Sequence, residues 1–268
     1  MRFGLPHQAA LRLKQLVWGR RGEPYPIAGR VLRYAPGTRP VRTRYAASPN
    51  PAVRYDAMQA RLFAEGLDEG DSAIDVGAHA GQYALIMAAR CGLSGHVTAF
   101  EPDPYARRKL ARNIALNPAV KPPVVESLAV SDAPGEAVLY SRGGDSQSSL
   151  ARSGIGEAGA AQVETFTVPL VTLDGYIADQ GLAAPRWVKI DTEGAEIRIL
   201  KGAPKLLAGP SNILCELHPY AWAEFGDSFE QLQAGVSRSG RRIRYLDEDA
   251  ETQAADVRYG SVLLERPA

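Results

Sequence analysis

Apolar and polar residues alternate in a regular way from about residue 56 to the end of the chain. Short apolar runs are each followed by a longer segment in which apolar residues recur at helical spacing, and this pattern predicts strand–helix units. Such units form a mostly parallel sheet that is covered by helices on both faces. The predicted strands are 72–76, 96–100, 124–130, 188–190 with its flanks, and 212–217, and the predicted helices are 81–91, 104–116, 195–207 and 229–238.

Two regions interrupt this alternation. Residues 136–141 and 165–171 predict an inserted hairpin, and residues 242–246 and 261–264 predict an antiparallel pair at the C-terminal edge. The fold class that these elements predict is α/β, a doubly wound Rossmann-like domain. The Gly- and Ser-rich loop 143–159 is long for a compact domain, so we expect it to cover an acceptor together with part of the N-terminal segment.

The N-terminal region follows a different pattern. Apolar residues between Leu5 and Val17 have roughly helical spacing among cations, which predicts a short basic amphipathic helix. Residues 22–51 contain five prolines and predict extended, irregular chain. We therefore expect a basic, proline-containing extension over residues 1–55 and a globular domain over residues 56–268.

The net charge of +1 conceals an uneven distribution. Residues 1–50 carry ten cations and one acid, a net of +9, while the remaining 218 residues carry 21 cations and 29 acids, a net of −8. A basic amphipathic helix can bind peripherally to an anionic membrane surface. The alternative is a solvated arm that folds against the acidic body. The cations are not interleaved with an aromatic stacking platform, so we expect no nucleic-acid partner.

Composition narrows the class of protein further. Hydrophobic residues make up 45% and charged residues 23% of the chain, as in an ordinary globular protein. No apolar run approaches the roughly 18 residues of a membrane span, and the first 21 residues lack the apolar core of a signal peptide. Cys91 and Cys215 lie far apart in apolar runs, which favours a reducing compartment and a cytoplasmic location. The oligomeric state stays open.

The first predicted strand ends in the turn Asp75-Val76-Gly77-Ala78-His79-Ala80-Gly81-Gln82-Tyr83. Ligands of doubly wound sheets bind beyond the carboxyl ends of the strands, at turns of this kind. Gly77 and Gly81 allow close approach of the backbone, and the N–H groups that begin the next helix favour a negative group. Ala78 and Ala80 interrupt a G-x-G-x-x-G pattern, which disfavours a dinucleotide and hence a nicotinamide-dependent oxidoreductase.

Glu101 follows the second predicted strand, 20 residues after Gly81, where it can accept hydrogen bonds from ribose hydroxyls. Two acids near a glycine turn, without a phosphate-binding lysine, suit a ligand with an amine and a carboxylate but no phosphate. S-adenosylmethionine (SAM) has this chemistry, with Asp75 on the ammonium side, the loop amides at the carboxylate and Glu101 at the ribose. The alternative is a tight turn with a strand-end acid that caps the next helix.

A longer set of motifs extends from about residue 70 to residue 220. In chain order the motifs are D-V-G-A-H-A-G-Q-Y at 75–83, F-E-P-D-P at 100–104, Asn113 and Asn117, A-V-S-D-A-P-G-E at 129–136, T-L-D-G-Y at 172–176, K-I-D-T-E-G-A-E at 189–196, L-K-G-A at 200–203 and E-L-H at 216–218. In composition and order this set resembles the FkbM-type family of SAM-dependent methyltransferases (class I). The first 55 residues match none of these motifs.

The resemblance implies a methyltransferase domain over residues 56–268, with a seven-stranded, mostly parallel sheet and a reversed C-terminal strand. It implies SAM as the methyl donor and O-methylation of a hydroxyl on a sugar, glycan or secondary metabolite, so the acceptor partner is a small molecule or a glycan. The residues assigned to the cofactor are Asp75, Gly77, Ala78, Gly81, Tyr83, Glu101, Ser131 and Asp132, with the last two toward the adenine.

Methyl transfer to a hydroxyl requires alignment and a nearby base for the proton. The candidates follow the fourth and fifth strands of the parallel set. Asp191 is the first candidate for a general base or a substrate-orienting carboxylate, His218 is the second, and Glu193 is the third. Lys189 and Asp191 alternate with Ile190, so both point to the same side of their strand. Glu193 can instead act on the dipole of the next helix, without a catalytic role.

Asp191, Glu193, Glu216 and His218 also include the ligand types of a divalent-metal site. An ion such as Mg²⁺ at this place would hold a substrate diol and lower the pKa of a hydroxyl. We assign no metal from the sequence, because the sequence does not show whether the two strand ends converge. A further alternative is a SAM-binding scaffold without catalysis.

Overall fold

The computed structural model describes residues 7–27, 29–38, 40, 43–143, 148–155, 163–246 and 260–267. Its helices are α1 (His7–Trp18), α2 (Pro51–Gly66), α3 (Gln82–Cys91), α4 (Pro104–Ala115), α5 (Leu173–Asp179), α6 (Glu196–Lys201), α7 (Pro204–Ala208), α8 (Pro219–Trp222) and α9 (Phe229–Arg238). Its strands are β1 (Glu23–Ile27), β2 (Arg30–Tyr34), β3 (Ser72–Val76), β4 (His96–Phe100), β5 (Val124–Glu126), β6 (Ala129–Val130), β7 (Gly135–Ser141), β8 (Glu164–Val171), β9 (Trp187–Ile190), β10 (Asn212–Leu217), β11 (Arg242–Tyr245) and β12 (Gly260–Glu265).

Seven strands form the central sheet, in the order β11-β12-β10-β9-β3-β4-β5. The pairs from β10 to β5 are parallel, while β12 lies antiparallel to both β10 and β11. The predicted α/β class and the reversed C-terminal strand are therefore confirmed. From β3 the chain runs outward through β4 and β5 and then returns to β9 on the other side of β3. The carboxyl ends of β3 and β9 flank the crevice in which such sheets bind ligands.

Side chains alternate between the two faces of this sheet, and each face is covered by a hydrophobic cluster. Ile74 and Val76 of β3 pack with residues of α6 and α9 in one cluster. The intervening positions face a second cluster, which includes residues of α2 and α3. Three polar residues also lie on this second face, because Asp75, Lys189 and Glu216 occupy the same alternating positions of β3, β9 and β10. This places a row of charged groups between the sheet and the helices.

The apolar run 124–130 does not form one strand, contrary to the prediction. β5 pairs with β4 in the central sheet, whereas β6 pairs with β8 in a separate three-stranded sheet of order β6-β8-β7. This change of pairing partner divides the run. The predicted inserted hairpin is confirmed, because β7 and β8 pair antiparallel along their whole length.

The predicted helix 195–207 is also divided, into α6 and α7. Pro204 is the first residue of α7. A proline has no N–H for the helical hydrogen bond and disfavours helical backbone at the residue before it. Ala203 accordingly leaves the helical region, with φ −131° and ψ 43°. The predicted helix over 229–238 has the bounds of α9.

The N-terminal region is more regular than its prolines predict. α1 confirms the predicted helix, but the stretch predicted as irregular contains the antiparallel pair β1–β2 and the start of α2. β1 has β2 as its neighbour in a two-stranded sheet, and proline is tolerated on such an edge strand. Tyr25, Ile27, Leu32 and Tyr34 of this pair are buried in the second hydrophobic cluster. None of the described helices combines the length and the apolar character that a bilayer crossing requires.

Two buried asparagines, one in α4 and one two residues after its end, hold this hairpin against the domain. The side chain of Asn117 accepts from the N–H of Arg33 and donates to its carbonyl oxygen, both at 2.8 Å. The side chain of Asn113 accepts from the N–H of Ala35 at 2.7 Å. These amides take the place of a neighbouring strand along β2, and they hold residues 37–38 at the rim of the crevice. The predicted domain boundary between residues 55 and 56 falls inside α2.

Candidate active site

The carboxyl ends of the parallel strands border a cleft of about 1030 Å³. The turn after β3 and an apolar segment after β5 line one end, and residues that follow β9 and β10 line the other. Of the residues predicted from the sequence, the cleft is lined by Gly77, Ala78, Tyr83, Glu101, Asp191 and Glu193 and not by Asp75, Gly81, Ser131, Asp132 or His218.

Gly77 and Gly81 are required by the packing of the turn. Gly77 has φ 81°, and a Cβ atom there would lie 1.7 Å from the carbonyl oxygen of Asp191. Gly81 has φ 77°, and its Cβ would lie 2.1 Å from Cδ1 of Leu110 in α4. The sequence-based interpretation attributed both glycines to the approach of a ligand. The close approaches in the structure are to β9 and α4, so the turn fixes the distance between the two sides of the cleft.

Several N–H groups of this turn donate within the protein. Those of Gly77 and Ala78 both donate to the carbonyl oxygen of Phe100 at 3.0 Å. These amides therefore do not face a ligand carboxylate, contrary to the interpretation from the sequence. The first N–H groups of a helix have no acceptor within it, and Gln82 and Tyr83, which begin α3, line the cleft. The N-terminus of α3 is the part of the turn that can bind a carboxylate.

Glu101 is buried, with 5% of its surface exposed, and it lines the cleft. Its Oε2 accepts from the N–H of His79 at 2.6 Å, and its Oε1 accepts from the N–H of Asp103 at 2.8 Å. Each carboxylate oxygen has a second lone pair, so this group can still accept hydrogen bonds from a diol. Burial raises the pKa of Glu101 to about 7 despite the two backbone hydrogen bonds, because the charged form loses hydration.

Asp75 lies below the turn and is fully buried, paired in register with Lys189. Among the described atoms, neither of its carboxylate oxygens has a hydrogen bond of ordinary geometry, although the N–H of Ala84 is near enough to lower its pKa. Burial outweighs this effect and raises the pKa of Asp75 to about 6. Its position outside the cleft does not support the direct cofactor contact expected from the sequence.

Ser131 and Asp132 lie past the end of the cleft. The hydroxyl of Ser131 donates to Asp132, which is exposed and pairs with Arg198 at 3.5 Å. β6 leaves the central sheet to pair with β8 and carries both residues away from the cleft lining, and their expected contact with the adenine stays a prediction. Residues 128–130, just before them, do line the cleft. These apolar side chains form a wall that suits the flat face of an aromatic base.

Asp191 and Lys189 form an ion pair at the end of β9, with 2.7 Å between Nζ and Oδ2. The prediction that both point to one side of the strand is therefore confirmed. The side chain of Lys189 is buried, whereas that of Asp191 is 27% exposed. Burial acts to raise the pKa of Asp191, but the charges of Lys189 and His218 together hold this pKa below its usual value. Asp191 is thus ionised at neutral pH at the floor of the cleft.

His218 lies behind the cleft wall, and its ring is held at one nitrogen. Nδ1 is 2.9 Å from Oε1 of Glu196, which is fully buried. Nε2 lies 3.8 Å from Asp191, 3.7 Å from Glu193 and 4.0 Å from Glu216. Burial acts to lower the pKa of His218, but the hydrogen bond and charge of Glu196 raise it to about 10. Because a protonated ring accepts no proton, the structure does not favour His218 as the base of an unliganded site.

Glu193 lies between β9 and α6 with φ 54°, a conformation that costs a residue other than glycine roughly 1–3 kcal/mol. Its carboxylate accepts a hydrogen bond from the hydroxyl of Tyr220 and lines the cleft. The helix-dipole alternative places Glu193 in the first turn of a helix, but α6 begins at Glu196. The strained backbone therefore directs Glu193 into the cleft.

The structure adds two residues of α2 that the sequence motifs do not include. Asp56 lines the cleft and accepts a hydrogen bond from the hydroxyl of Tyr83 at 3.3 Å. Gln59 donates to Oε2 of Glu216 at 3.1 Å. Burial raises the pKa of Asp56 and raises that of Glu216 to about 7. The available sequence signal was a pair of polar residues, three apart, on a helix face that is otherwise apolar.

Residues 148–155 cross one side of the cleft. The hydroxyl of Ser148 donates to Asp103, and that of Ser149 donates to the carbonyl oxygen of Glu193 at 2.6 Å. This segment belongs to the loop predicted to cover an acceptor, and that role stays a prediction. Residues 144–147 and 156–159 of the loop lie outside the described residues.

Comparisons with known proteins place the chain among methyltransferases. Hexuronic acid methyltransferase AglP from Haloferax volcanii is 29% identical over 161 residues, which cover 59% of this chain and 60% of the relative. The chain thus spans less than two thirds of the length of that relative.

Two solved structures are similar at lower identity. Methyltransferase FkbM from Methylobacillus flagellatus KT is 13% identical with a TM-score of 0.46, over 78% of this chain and 50% of that protein. An rRNA methylase from Clostridium thermocellum, described as putative, is 11% identical with a TM-score of 0.47, over 76% of this chain and 90% of that protein.

The family comparison covers more than half of the chain. The model of the methyltransferase FkbM domain matches residues 75–243, which include the turn after β3, Glu101 and the ends of β9 and β10. Of the motifs that resemble this family, those at 75–83, 100–104, 129–136, 189–196 and 216–218 contribute residues to the lining of the cleft. The chain belongs to the FkbM family of SAM-dependent methyltransferases.

Proposed function

We propose that this protein transfers the methyl group of SAM to a hydroxyl of a sugar or sugar-containing acceptor, within the cleft beyond β3 and β9. The observation that carries the proposal is Glu101, a buried carboxylate at the end of β4 that reaches the cleft with a spare lone pair on each oxygen. Family membership supports the same reaction class. A SAM-binding scaffold and a nicotinamide-dependent oxidoreductase are the weaker alternatives.

The residues of the cleft fit each part of SAM. Glu101 would hold the ribose diol, residues 128–130 would pack on the adenine, and the N-terminus of α3 would bind the carboxylate. The opposite end of the cleft is lined by acids that include Asp56 and Glu216, whose role differs from that of the acceptor-binding Asp191. A sulfonium and an ammonium group are favoured beside these carboxylates. Gly77 and Gly81 would shape the turn, and Asp75 would act on the cofactor only through its charge.

Asp191 would bind and orient the acceptor hydroxyl and accept its proton. Bound SAM would supply an electrophilic methyl group: the acceptor oxygen would bond to the methyl carbon in line with the C–S bond, and S-adenosylhomocysteine would leave with the bonding electron pair. Lys189 holds Oδ2 of Asp191 and leaves Oδ1 toward the cluster around His218. Glu193, whose carboxylate is fixed by Tyr220, would position the acceptor from the other side. A positioned carboxylate of this kind contributes roughly 10²–10⁴-fold to proton transfer.

The acceptor is proposed from the named relative. That protein is a hexuronic acid methyltransferase, so the first acceptors to test are uronic acids and uronic-acid glycans. A nucleic acid is not proposed as partner, because the exposed cations of the N-terminal region lack a stacking platform. A peripheral contact of α1 with an anionic surface is consistent with its sequence, and the proposed location is cytoplasmic.

A transfer assay tests the proposed function. Purified protein is incubated with SAM labelled in its methyl group and with glucuronic acid, galacturonic acid, their short glycans, or an RNA fragment. We expect label in a uronic-acid product as an O-methyl ether, with S-adenosylhomocysteine released in equal amount. Transfer to RNA alone, or no SAM-dependent product with any sugar acceptor, would contradict the proposal.

A further inference from the structure

The residues that converge beyond β9 and β10 form more than a negatively charged surface. Asp191, Glu193 and His218 each offer one donor atom, and these atoms all lie within 4.8 Å of one another. Asp191 and Glu193 follow β9 and His218 follows β10. The ends of these two strands therefore do converge, which the sequence alone did not show. We propose that Asp191, Glu193 and His218 bind one divalent first-row metal ion at the acceptor end of the cleft. This inference rests on the proposed function for the role of the ion, but its binding is measured independently.

The distances suit coordination of one ion. Nε2 of His218 lies 3.8 Å from Oδ1 of Asp191 and 3.7 Å from Oε2 of Glu193. These separations exceed a hydrogen bond, and an ion about 2.1 Å from each atom can bridge a pair up to about 4.2 Å apart. The donor atoms of Asp191 and Glu193 lie within 4.8 Å of one another, so these two side chains would close on the ion. The side chains of Asp191 and Glu193 are 27% and 16% exposed, and both line the cleft. An ion at this position therefore has protein on one side and open coordination positions toward an acceptor.

His218 is oriented as histidine ligands of metals are. Its Nδ1 is hydrogen-bonded to Glu196, and this leaves Nε2 directed at the carboxylates. Metal-binding histidines commonly donate their other ring nitrogen to a carboxylate, which fixes the ring. Glu196 is itself held by the N–H of Gly194 and by Nε1 of Trp222, both at 2.8 Å. The imidazole is 2% exposed, so its direction is set by the fold and not by solvent.

The charges around the site favour a further cation. Four carboxylates surround the ring of His218, from Asp191, Glu193, Glu196 and Glu216. Among the described residues that contact this group, Lys189 is bonded to Asp191, so the carboxylates outnumber the cations even with a charged imidazole. A bound ion would replace the proton on Nε2 of His218, because metals bind the neutral imidazole and release its proton. Buried carboxylates are stabilised by pairing or by metal coordination. The carboxylates suit hard ions such as Mn²⁺, and an imidazole is a common ligand of first-row divalent ions, so Mn²⁺ serves as the probe.

The ion would change how the acceptor is activated. Its charge would lower the pKa of an acceptor hydroxyl that it holds. Glu216, with Oε1 at 4.0 Å from Nε2 of His218, lies beside the ligand set and would then receive the proton. Asp191 and Glu193 would hold the ion and, through it, fix the position of the hydroxyl.

Binding of Mn²⁺ to the full chain tests this proposal directly. Free Mn²⁺ has a six-line electron paramagnetic resonance signal that decreases on binding, so titration gives stoichiometry and affinity. We expect one Mn²⁺ per chain in the wild type. Glu193→Gln and Asp191→Asn should each weaken binding at least about tenfold, as losses around metal ligands do. Glu65→Gln, an exposed acid of α2 with a side chain 64% exposed, should bind Mn²⁺ as the wild type does.

The control separates this proposal from the proposed function. SAM binding is measured calorimetrically on the same samples, and circular dichroism verifies the fold of each variant. No saturable Mn²⁺ binding by a wild-type sample that binds SAM, or equal affinity in Glu193→Gln and Glu65→Gln, overturns the metal site alone. If Glu193→Gln does not fold, Asp191→Asn provides the comparison. Metal binding without SAM binding would instead contradict the proposed function.

Discussion

The carboxylate of Glu101 is buried at the edge of the cleft, where it can bind a ligand. Burial of its charged form lowers the stability of the fold. Burial raises its pKa from 4.5 to about 7, so the folded protein binds the Glu101 proton more tightly than the unfolded chain does. This loss of stability is absent at pH values below 4.5, the pKa of Glu101 in the unfolded chain. It grows as the pH rises toward about 7, the pKa in the folded protein, and is complete at higher pH. A shift of this size corresponds to about 3 kcal/mol.

The variant Glu101→Gln removes this titration. Between pH 5 and pH 8 the wild type should therefore lose about 2–3 kcal/mol of unfolding free energy relative to the variant. Urea unfolding of unliganded protein at both pH values measures it. Asp75 and Glu216 also have raised pKa values, but they are present in both proteins and cancel in the difference. A difference that does not vary with pH would contradict the assigned burial cost.

Asp191 is expected to act on transfer and not on SAM binding. The variant Asp191→Asn retains an oxygen for Lys189 but loses the negative charge at the floor of the cleft. Methyl transfer should fall at least about 100-fold, while the dissociation constant of SAM changes less than about threefold. Initial rates under SAM saturation and calorimetry measure the two quantities, with Glu65→Gln as control. Unchanged transfer by the variant would exclude Asp191 from the reaction.

Gly77 sets the spacing of β3 and β9, and the chain offers a matched control. Gly181 has φ 60°, and a Cβ atom there would meet no described atom within 4 Å, so Gly181→Ala measures the cost of the backbone conformation alone, about 1–2 kcal/mol. Gly77→Ala adds a contact of 1.7 Å with the carbonyl of Asp191 and should cost at least about 2 kcal/mol more. Urea denaturation compares the two variants. Equal destabilisation would show that the close approach is not a constraint.

At the scale of single elements, the sequence predicts the parallel strands and most helices well. The bounds of β3, β4, β10 and α9 match the pattern because each is an uninterrupted apolar or amphipathic run. The hydrophobic pattern mispredicts the elements whose structure depends on which distant segment they pair with. One apolar run is shared by β5 and β6 in two different sheets, and the proline-rich stretch pairs as β1–β2 because the side chains of Asn113 and Asn117 complete its edge.

The candidate site is predictable to the same extent. The motifs identify Glu101 and Asp191, since both follow apolar strands at the ligand edge of the sheet. They do not place Ser131 and Asp132, because these follow a strand that leaves that sheet. Asp56 and Gln59 belong to a helix before the first motif, and their approach to Tyr83 and Glu216 is a product of helix packing that local sequence does not encode.

α1 is the element for which a surface role can be tested. Leu13, Leu16 and Val17 are 53%, 84% and 52% exposed, and Arg12 and Arg20 are exposed beside them. An in-plane helix of this kind binds anionic bilayers through apolar contact and charge. Leu16→Glu should therefore lower binding to phosphatidylglycerol vesicles about tenfold, because one apolar side chain contributes roughly 1.5–3 kcal/mol.

Co-sedimentation with vesicles measures this binding, and phosphatidylcholine vesicles provide the neutral comparison. Leu93→Glu is the control, because Leu93 is 74% exposed and lies in the turn after α3, outside the N-terminal region. No binding of wild-type protein to anionic vesicles, or equal losses in the two variants, would leave α1 as a solvated helix.

In the whole molecule, the acidic and the basic parts of the chain correspond to different parts of the fold. The acidic part of the chain forms the central sheet and most of the cleft, and Asp56 and Glu216 in the cleft lining suit a cationic cofactor. The basic N-terminal part, residues 1–50, is not wholly separate from the domain. Its hairpin β1–β2 packs into the core, and residues 37–38 reach the rim of the cleft. The basic N-terminal part and the acidic remainder therefore differ in charge but contribute to the same hydrophobic cluster, the one that includes residues of β1, β2, α2 and α3.

In the proposed function the cleft binds SAM through Glu101, and calorimetric titration with S-adenosylhomocysteine measures this binding without turnover. This product analogue has the ribose, adenine and amino acid groups but cannot react. We expect one site per chain in the wild type and in Glu65→Gln. In Glu101→Gln the affinity should fall about 10–100-fold, since a hydrogen bond to a charged acceptor contributes roughly 1.5–3 kcal/mol. Undetectable binding to the folded wild type, or equal affinity in Glu101→Gln, would contradict this account.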